Sequence, residues 1–420
     1  MKLFVVIVFF VSYILLISKK VHPFVTFGTA IGLLFISRAI TPTQAITSIN
    51  YNVLGVFLGT MVLSGLFIFS EVPAFLATKL VDRSKTVGMA LLSVCILAGF
   101  ISSFVENVAT VLIVAPIAFE VARKLKVNPI PFLIGIAASA NLQGCATMVG
   151  DSPSIILALS SGMNFTDFFW MKGRPGITFA VELGAAASFI VLYLLFKKYK
   201  QPVEKIEEVK VKTWFPTWLL VFMMSTLALS SFIKNKPTYT VAFICIAYGI
   251  IGLVWHELKH RESISLIKDL DWYTFFFLIG IFILVGSLTY MGVIDDIAKF
   301  IIEFTRGNKF LAYTVIVWIS VLVSAFVDNI PYTVAMIPVA KLVASSLGVP
   351  QEPFLFGLLI GASLGGNITP IGASANVVAV GLLHKEKHNV KFSDFVKIGL
   401  PFTVAAVSVA YLFIWFVWSR

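Results

Sequence analysis

Apolar residues run in long blocks from one end of the chain to the other, separated by short polar interruptions. The blocks 3–18, 23–38, 52–70, 131–162, 177–197, 216–233, 238–256, 272–290, 353–384 and 398–418 predict ten membrane crossings, since a helix needs about 20 apolar residues to traverse a hydrocarbon core. Two of them, 131–162 and 353–384, are too long and too polar at the centre for plain helices. Their centres read Gln143-Gly144-Cys145-Ala146-Thr147-Met148-Val149-Gly150-Asp151-Ser152-Pro153 and Gly365-Gly366-Asn367-Ile368-Thr369-Pro370-Ile371-Gly372-Ala373-Ser374. Glycine and proline at this density break a helix, so each block is read as two half-helices around an unwound stretch. Two further apolar stretches, 86–122 and 311–345, are interrupted by Ser103-Phe104-Val105-Glu106-Asn107 and Ala325-Phe326-Val327-Asp328-Asn329. A carboxylate beside an amide suits neither lipid nor a bare loop, because unpaired backbone in hydrocarbon costs several kcal/mol. Both stretches predict re-entrant hairpins whose polar tips reach into the protein. The runs 71–85 and 292–309 are amphipathic and predict interfacial helices.

The pattern repeats. An offset of 222 residues carries Glu106 to Asp328, Asn107 to Asn329, Pro116 to Pro338, Gly144 to Gly366, Thr147 to Thr369, Gly150 to Gly372 and Ser152 to Ser374. At 221 residues, Gly59 and Gly65 map to Gly280 and Gly286. The reading is an all-α polytopic membrane protein with a first repeat over 1–197, a charged linker over 198–214 and a second repeat over 215–420. With the hairpins counted as no crossing, each half crosses five times. An odd number turns the second half upside down, which is the inverted-repeat plan of many secondary transporters.

Composition agrees with a membrane solvent: the 420 residues are 59% hydrophobic and 13% charged, against about 25% charged in a soluble domain. The net charge of +11 is spread between spans as a topology signal and forms no basic patch with interleaved aromatics, so nucleic acid is not an expected partner. Of the 32 lysines and arginines, 21 fall on the face that carries the linker and 11 on the opposite face. The positive-inside rule makes the linker face cytoplasmic and places both termini outside, in a plasma membrane. Cys95, Cys145 and Cys245 sit inside apolar segments without a CxxC and read as small apolar residues. The first block lacks a small-residue cleavage site and reads as a retained span.

Glu106 and Asp328 carry the sharpest chemistry. A charge at the bilayer centre costs at least ~2.5–3.5 kcal/mol on insertion scales, so each acid is expected to be protonated, paired or holding a cation. The alternative is a neutral acid that only staples a hairpin tip. Asn107 and Asn329 supply neutral oxygens or fix the loop. Carbonyls freed near Thr147 and Thr369 are expected to face cations, with Na⁺ the expected metal near Glu106/Thr147 and Asp328/Thr369. Ser152 and Ser374 are expected to cap the second half-helices, whose N-termini attract anions. A rival signal is His256-Glu257-Leu258-Lys259-His260, an HExxH pattern that on a helix puts two histidines on one face. It lies at the end of a span without a third ligand, so a wet helix end is the plainer reading over an intramembrane zinc protease.

Phe326-Val327-Asp328-Asn329-Ile330-Pro331, Gly366-Asn367-Ile368-Thr369-Pro370-Ile371-Gly372-Ala373-Ser374-Ala375-Asn376 and Thr147-Met148-Val149-Gly150-Asp151-Ser152-Pro153-Ser154 resemble the ArsB/NhaD branch of the ion transporter superfamily. That branch spans arsenite permeases, sodium/proton antiporters, the melanosomal P protein and CitMHS-type permeases. The resemblance covers nearly the whole chain. It implies two inverted repeats, an elevator-like or rocking cycle, and commonly a homodimer. It carries site roles onto Glu106, Asn107, Thr147, Asp328, Asn329, Thr369 and Asn376, with Ser103, Ser152 and Ser374 beside them. Ser154 stands where the family commonly has asparagine, and Ala325 matches Ser103, so the two sites are expected to differ. The expected function is secondary transport of an ion or small anion coupled to H⁺ or Na⁺, of sodium/proton antiport or arsenite/oxyanion efflux type, with no cofactor beyond the coupling ion. Dicarboxylate or citrate symport on the same fold, a passive channel and the zinc protease are the alternatives. The sequence has no nucleotide-binding motif, so an ATP drive would need a separate subunit.

Overall fold

The computed structural model describes residues 1–18, 21–124, 126–203 and 209–419; the linker positions 204–208 lie outside them. Among the described residues the first half forms α1 (Lys2–Ser18), α2 (Pro23–Ile36), α3 (Pro42–Ser48), α4 (Tyr51–Phe69), α5 (Val72–Asp82), α6 (Val87–Ser102), α7 (Asn107–Lys124), α8 (Ile130–Gly144), α9 (Ser152–Ser161) and α10 (Ile177–Phe196). The second half forms α11 (Phe215–Ser230), α12 (Thr240–His260), α13 (Ser263–Lys268), α14 (Trp272–Tyr290), α15 (Val293–Phe304), α16 (Lys309–Ser324), α17 (Asn329–Ser346), α18 (Glu352–Gly365), α19 (Ser374–Lys385) and α20 (Phe392–Trp418). The two sets match one to one. α6 and α7 recur at 222 residues as α16 and α17 with identical bounds, and α4 recurs at 221 as α14. The molecule is an all-α polytopic membrane protein built from two inverted-topology repeats, each with a re-entrant hairpin (α6–α7, α16–α17) and a discontinuous helix (α8–α9, α18–α19).

Among the described residues, five helices, α4, α10, α12, α14 and α20, have at least 18 residues and enough apolar character to cross unaided. The expected span 23–38 ends early: α2 stops at Ile36, Arg38 turns left-handed at φ 56°, and Thr41 opens α3 with a capping box to Gln44. At ~1.5 Å per residue the 14 residues of α2 rise only about 21 Å, and the turn into α3 follows. α3 and its counterpart α13 are elements the hydrophobic blocks did not reveal. The amphipathic prediction for 292–309 is met by α15, which buries Ile294, Ala298 and Ile301 and begins with Asp295 and Asp296. In that first turn the two acids suit the positive helix end.

Helix pairs approach closely where small residues allow it. α4 lies along α12, and a Cβ at Gly59 would fall 2.3 Å from the backbone carbonyl of Cys245. A strap over 165–176, a short 3-10 turn and a two-residue hairpin, ties the first half to the second on the face opposite the linker. Its Lys172 pairs with Glu352 at the start of α18, which is only 2% exposed. Its Arg174 donates to the Val417 carbonyl at 3.0 Å, and Trp418 Nε1 donates to the Pro175 carbonyl at 3.1 Å. On the linker face, Lys212 N donates to Ser70 O at 3.0 Å and its side chain pairs with Glu71 at 3.2 Å.

The Gly59 contact generates a comparison. Gly59→Ala is expected to lower stability by about 1–3 kcal/mol, as overpacking does, because backbone rather than a flexible side chain opposes the new methyl. Gly28→Ala, where nothing lies within 4 Å, is expected to be neutral or slightly stabilising. Thermal unfolding of both variants in detergent checks the contrast.

Candidate functional site

Each unwound stretch is stapled to its own hairpin tip by one hydroxyl. Thr147 Oγ1 donates to the carbonyl of Ser103, and Thr369 Oγ1 donates to the carbonyl of Ala325, which is the same bond in both repeats. Each threonine oxygen also accepts from the amide two residues on, Val149 N and Ile371 N, both at 3.4 Å. The approach is tight enough to require glycine. A Cβ at Gly150 would meet Gly144 O at 2.4 Å and Ser102 O at 2.7 Å, and at Gly372 it would meet Gly366 O at 2.6 Å and Ala325 O at 2.8 Å.

The tip acids lie beside these staples, half-buried. Glu106 accepts from Val108 N at 2.8 Å and Ala109 N at 3.2 Å, capping α7. Asp328 accepts from Ile330 N at 3.0 Å, capping α17, and its other oxygen accepts from Ser374 Oγ at 3.1 Å. Asn107 and Asn329 are buried as the first residues of α7 and α17. Ser103 is buried, and its hydroxyl reaches Gly99 O at 3.4 Å and Gln143 Oε1 at 3.3 Å. Gln143 in turn donates to Glu182 of α10 at 3.2 Å.

At the centre the two halves share a network of amides. Asn141 accepts from Asn107 Nδ2 at 2.8 Å and donates to Asn367 Oδ1 at 2.8 Å and Asn376 Oδ1 at 3.0 Å. Asn376 then donates to Gly366 O at 2.8 Å and Thr369 O at 2.9 Å. Asn141, Asn367, Asp151 and Ser363 are residues the sequence reading passed over as site members. The signal available was a polar residue inside an apolar block, which Asn141, Asn367, Asp151 and Ser363 share with Glu106.

The freed carbonyls already have partners. At the second break, Gly366 O and Thr369 O each accept from the Asn376 amide, which uses one of the two lone pairs on each oxygen. In the first half, Ala146 O accepts from Thr178 Oγ1 at 2.6 Å. Both capping expectations need correction. Ser152 does not cap α9: Asp151 does, accepting from Ser154 N at 2.8 Å, and Ser152 is the first helical residue. The helix begins one residue earlier than expected, so Asp151, extended at φ −141° and ψ 162°, holds the cap position. Ser374 likewise caps nothing, since Ala373 holds the cap position, and its hydroxyl serves Asp328 instead. As for the HExxH pattern, Glu257 accepts from Ser263 N at 3.1 Å, and the His256 and His260 rings pack on Phe69 at 4.7 and 4.8 Å. No group of three metal-ligating side chains forms among the described residues.

A cavity of about 520 Å³ opens beside the second tip, lined by Asp328, Ser374, Asp271, Tyr273, Tyr13 and His22 among others. Its walls include the end of α1 and the starts of α2 and α14, which places it on the linker face. A second cavity of about 460 Å³ lies toward the other face, between α9, α14 and α17. At its edge Lys341 donates to the Ser160 carbonyl.

Paired re-entrant hairpins meeting paired broken helices define a membrane transporter of the ion transporter superfamily. The chain belongs to the citrate transporter family, whose sequence model matches residues 13–361 and 336–420. It is 29% identical over 429 residues to an uncharacterized transporter of Mycobacterium tuberculosis, covering 99% of this chain and 98% of that one. Against the P protein of Sus scrofa it is 25% identical over 497 residues, covering 96% of this chain and 58% of that protein. The crystal structure of the YdaH transporter of Alcanivorax borkumensis shares the fold, with a TM-score of 0.62 at 14% identity over 99% of this chain and 98% of the other.

Two tests follow from this geometry. Asn141→Leu strands polar groups on Asn107, Asn367 and Asn376, and each buried unsatisfied group costs about 1–3 kcal/mol. The variant is expected to unfold earlier than wild type in a denaturant titration. His256→Ala is expected to leave transport and protein-bound zinc unchanged, read by flux and by elemental analysis of the purified protein.

Proposed function

We propose that the chain is a secondary active transporter that moves an ion or small anion by alternating access, coupled to H⁺ or Na⁺. Sodium/proton antiport and oxyanion efflux are the two forms that suit it. The observation that carries this reading is the pair of acids, Glu106 and Asp328, each capping a hairpin arm within the bilayer next to a broken helix. An acid there is costly unless it is protonated, paired or holding a cation, and a carrier cycle can alternate it between a proton in one half-cycle and a cation or a protein partner in the other. Asn107, Thr147, Asn329, Thr369 and Asn376 shape the two tips, Ser103 and Ser152 flank the first, and Ser374 holds the Asp328 carboxylate. Na⁺ near Glu106/Thr147 and Asp328/Thr369 is the metal this assignment implies. The linker face is assigned to the cytoplasm, with both termini outside a plasma membrane and the carrier acting as a homodimer.

A second reading, citrate or dicarboxylate symport, is favoured by the family's description. Four helix N-termini, those of α7, α9, α17 and α19, face the tips and would suit carboxylates. Against it, the acids occupy those same ends at α7, α9 and α17.

The test is flux in proteoliposomes with imposed pH and Na⁺ gradients, using Na⁺, arsenite and dicarboxylates as cargo. Asp328→Asn keeps the cap and the shape but removes the charge. It is expected to cut gradient-driven flux by about tenfold or more, with the elution profile and melting unchanged. Wild-type flux in Asp328→Asn, or flux that ignores both gradients, would overturn the proposal.

A further inference from the structure

We propose that the cavity between α9, α14 and α17, on the face opposite the linker, is a binding site for a small organic monocarboxylate with an apolar body. Its carboxylate would sit against Lys341, and its body against Phe282, Val285 and Ile337. The site is separate from the hairpin tips, since Lys341 lies about three turns beyond Asn329 along α17.

The first ground is Lys341. It is half-buried, and among the described residues no carboxylate pairs with it. Its hydrogen bond goes to the Ser160 carbonyl in the last turn of α9. A helix C-terminus carries about half a negative charge, which a full cation outweighs, and an ammonium has two further donors. The fold does not require this charge. The 222-residue offset maps Lys341 to Phe119, and the matching helices α7 and α19 pack together with a phenylalanine at that position. A charge within a membrane protein is ordinarily paired, so the unpaired ammonium calls for an anion from outside the chain.

The second ground is the rest of the wall. No carboxylate lines this cavity, whereas Asp271 and Asp328 line the one on the linker face. Asn50 adds a donor. Its Oδ1 caps α4 by accepting from Val53 N at 3.2 Å, which leaves the Nδ2 group without an acceptor among the described residues. Lys341 and Asn50 come from opposite halves of the chain and line the same space.

Size and lining select the rest of the ligand. A cavity of about 460 Å³ falls in the ~300–1,000 Å³ range of small-molecule pockets and exceeds what a bare halide fills. Phe282, Val285 and Ile337 in its wall suit an apolar body. One cation balances one negative charge. A second carboxylate would lie unpaired against apolar side chains, which is costly.

The experiment is equilibrium binding to the purified full-length protein in phosphatidylcholine nanodiscs by calorimetry, with empty nanodiscs as the blank. The probes are 3-phenylpropionate, phenethylammonium and phenylsuccinate, which share a phenyl body and carry one negative, one positive and two negative charges. 3-Phenylpropionate is expected to bind tightest. Lys341→Gln keeps a donor for the Ser160 carbonyl and removes the charge. It is expected to weaken 3-phenylpropionate about tenfold or more, the effect of losing one charge-assisted hydrogen bond. Asn50→Asp keeps the α4 cap and puts a competing carboxylate into the cavity, so it is expected to weaken the same probe with melting unchanged. Lys341→Gln affinity within about twofold of wild type overturns the proposal. So does tighter binding of either other probe, or no heat above the blank. Should Lys341→Gln fail to fold, Asn50→Asp decides, and unchanged affinity there overturns the proposal too. The assay uses no gradient, so its failure leaves the transport reading untouched, and failure of the flux test leaves this site standing.

Discussion

The structure depends on one constraint: a helix broken inside a membrane frees backbone groups that lipid cannot satisfy. Both repeats meet it in the same way. A threonine hydroxyl from the unwound stretch bonds a carbonyl at the hairpin tip, Thr147 to Ser103 and Thr369 to Ala325. A glycine three residues further on lets the two backbones touch. Break and hairpin therefore require each other. Without the hairpin the break has no partner, and without the break the tip carbonyls have none.

Satisfying the backbone leaves the acids over. Glu106 and Asp328 cap α7 and α17, a task that asparagine or serine performs about as well. Capping alone does not call for a charge. That, more than their burial, is why the transport proposal gives them the coupling role. Asp151 is a different case. It caps α9 and also receives Ser363 Oγ at 3.4 Å from the other half, so it joins repeats as well as ending a helix.

The two sites are not equal copies. Asn376 bridges Asn141 to the carbonyls of the second break, while its counterpart Ser154 is too short to do so. Ala325 replaces Ser103, so the second tip lacks the hydroxyl that links the first to Gln143. The first half spends its polar groups on Asn141 and Gln143, and the second presents Asp328 and Ser374 to a cavity.

The fold was legible because its signals are local and repeated: block length gave the spans, glycine and proline gave the breaks, and the 222-residue offset tied them together. What stayed hidden had no period to reveal it. α3 and α13, of seven and six residues, lie between spans and are too short to show an apolar period of their own. The capping role of Asp151 over Ser152 depends on where the first helical turn closes, which spacing fixes only to a residue or two. Asn141 looked like a single polar residue in an apolar helix, because its partners Asn367 and Asn376 lie more than 200 positions away and reach it only once the inverted halves cross. Long-range polar pairing of this kind carries no sequence spacing. In a chain with this symmetry, the better guide is to ask which buried amides have no amide at the matching position of the other repeat. Asn141 qualifies at once, since the offset maps it to Ser363, whose hydroxyl serves Asp151 instead.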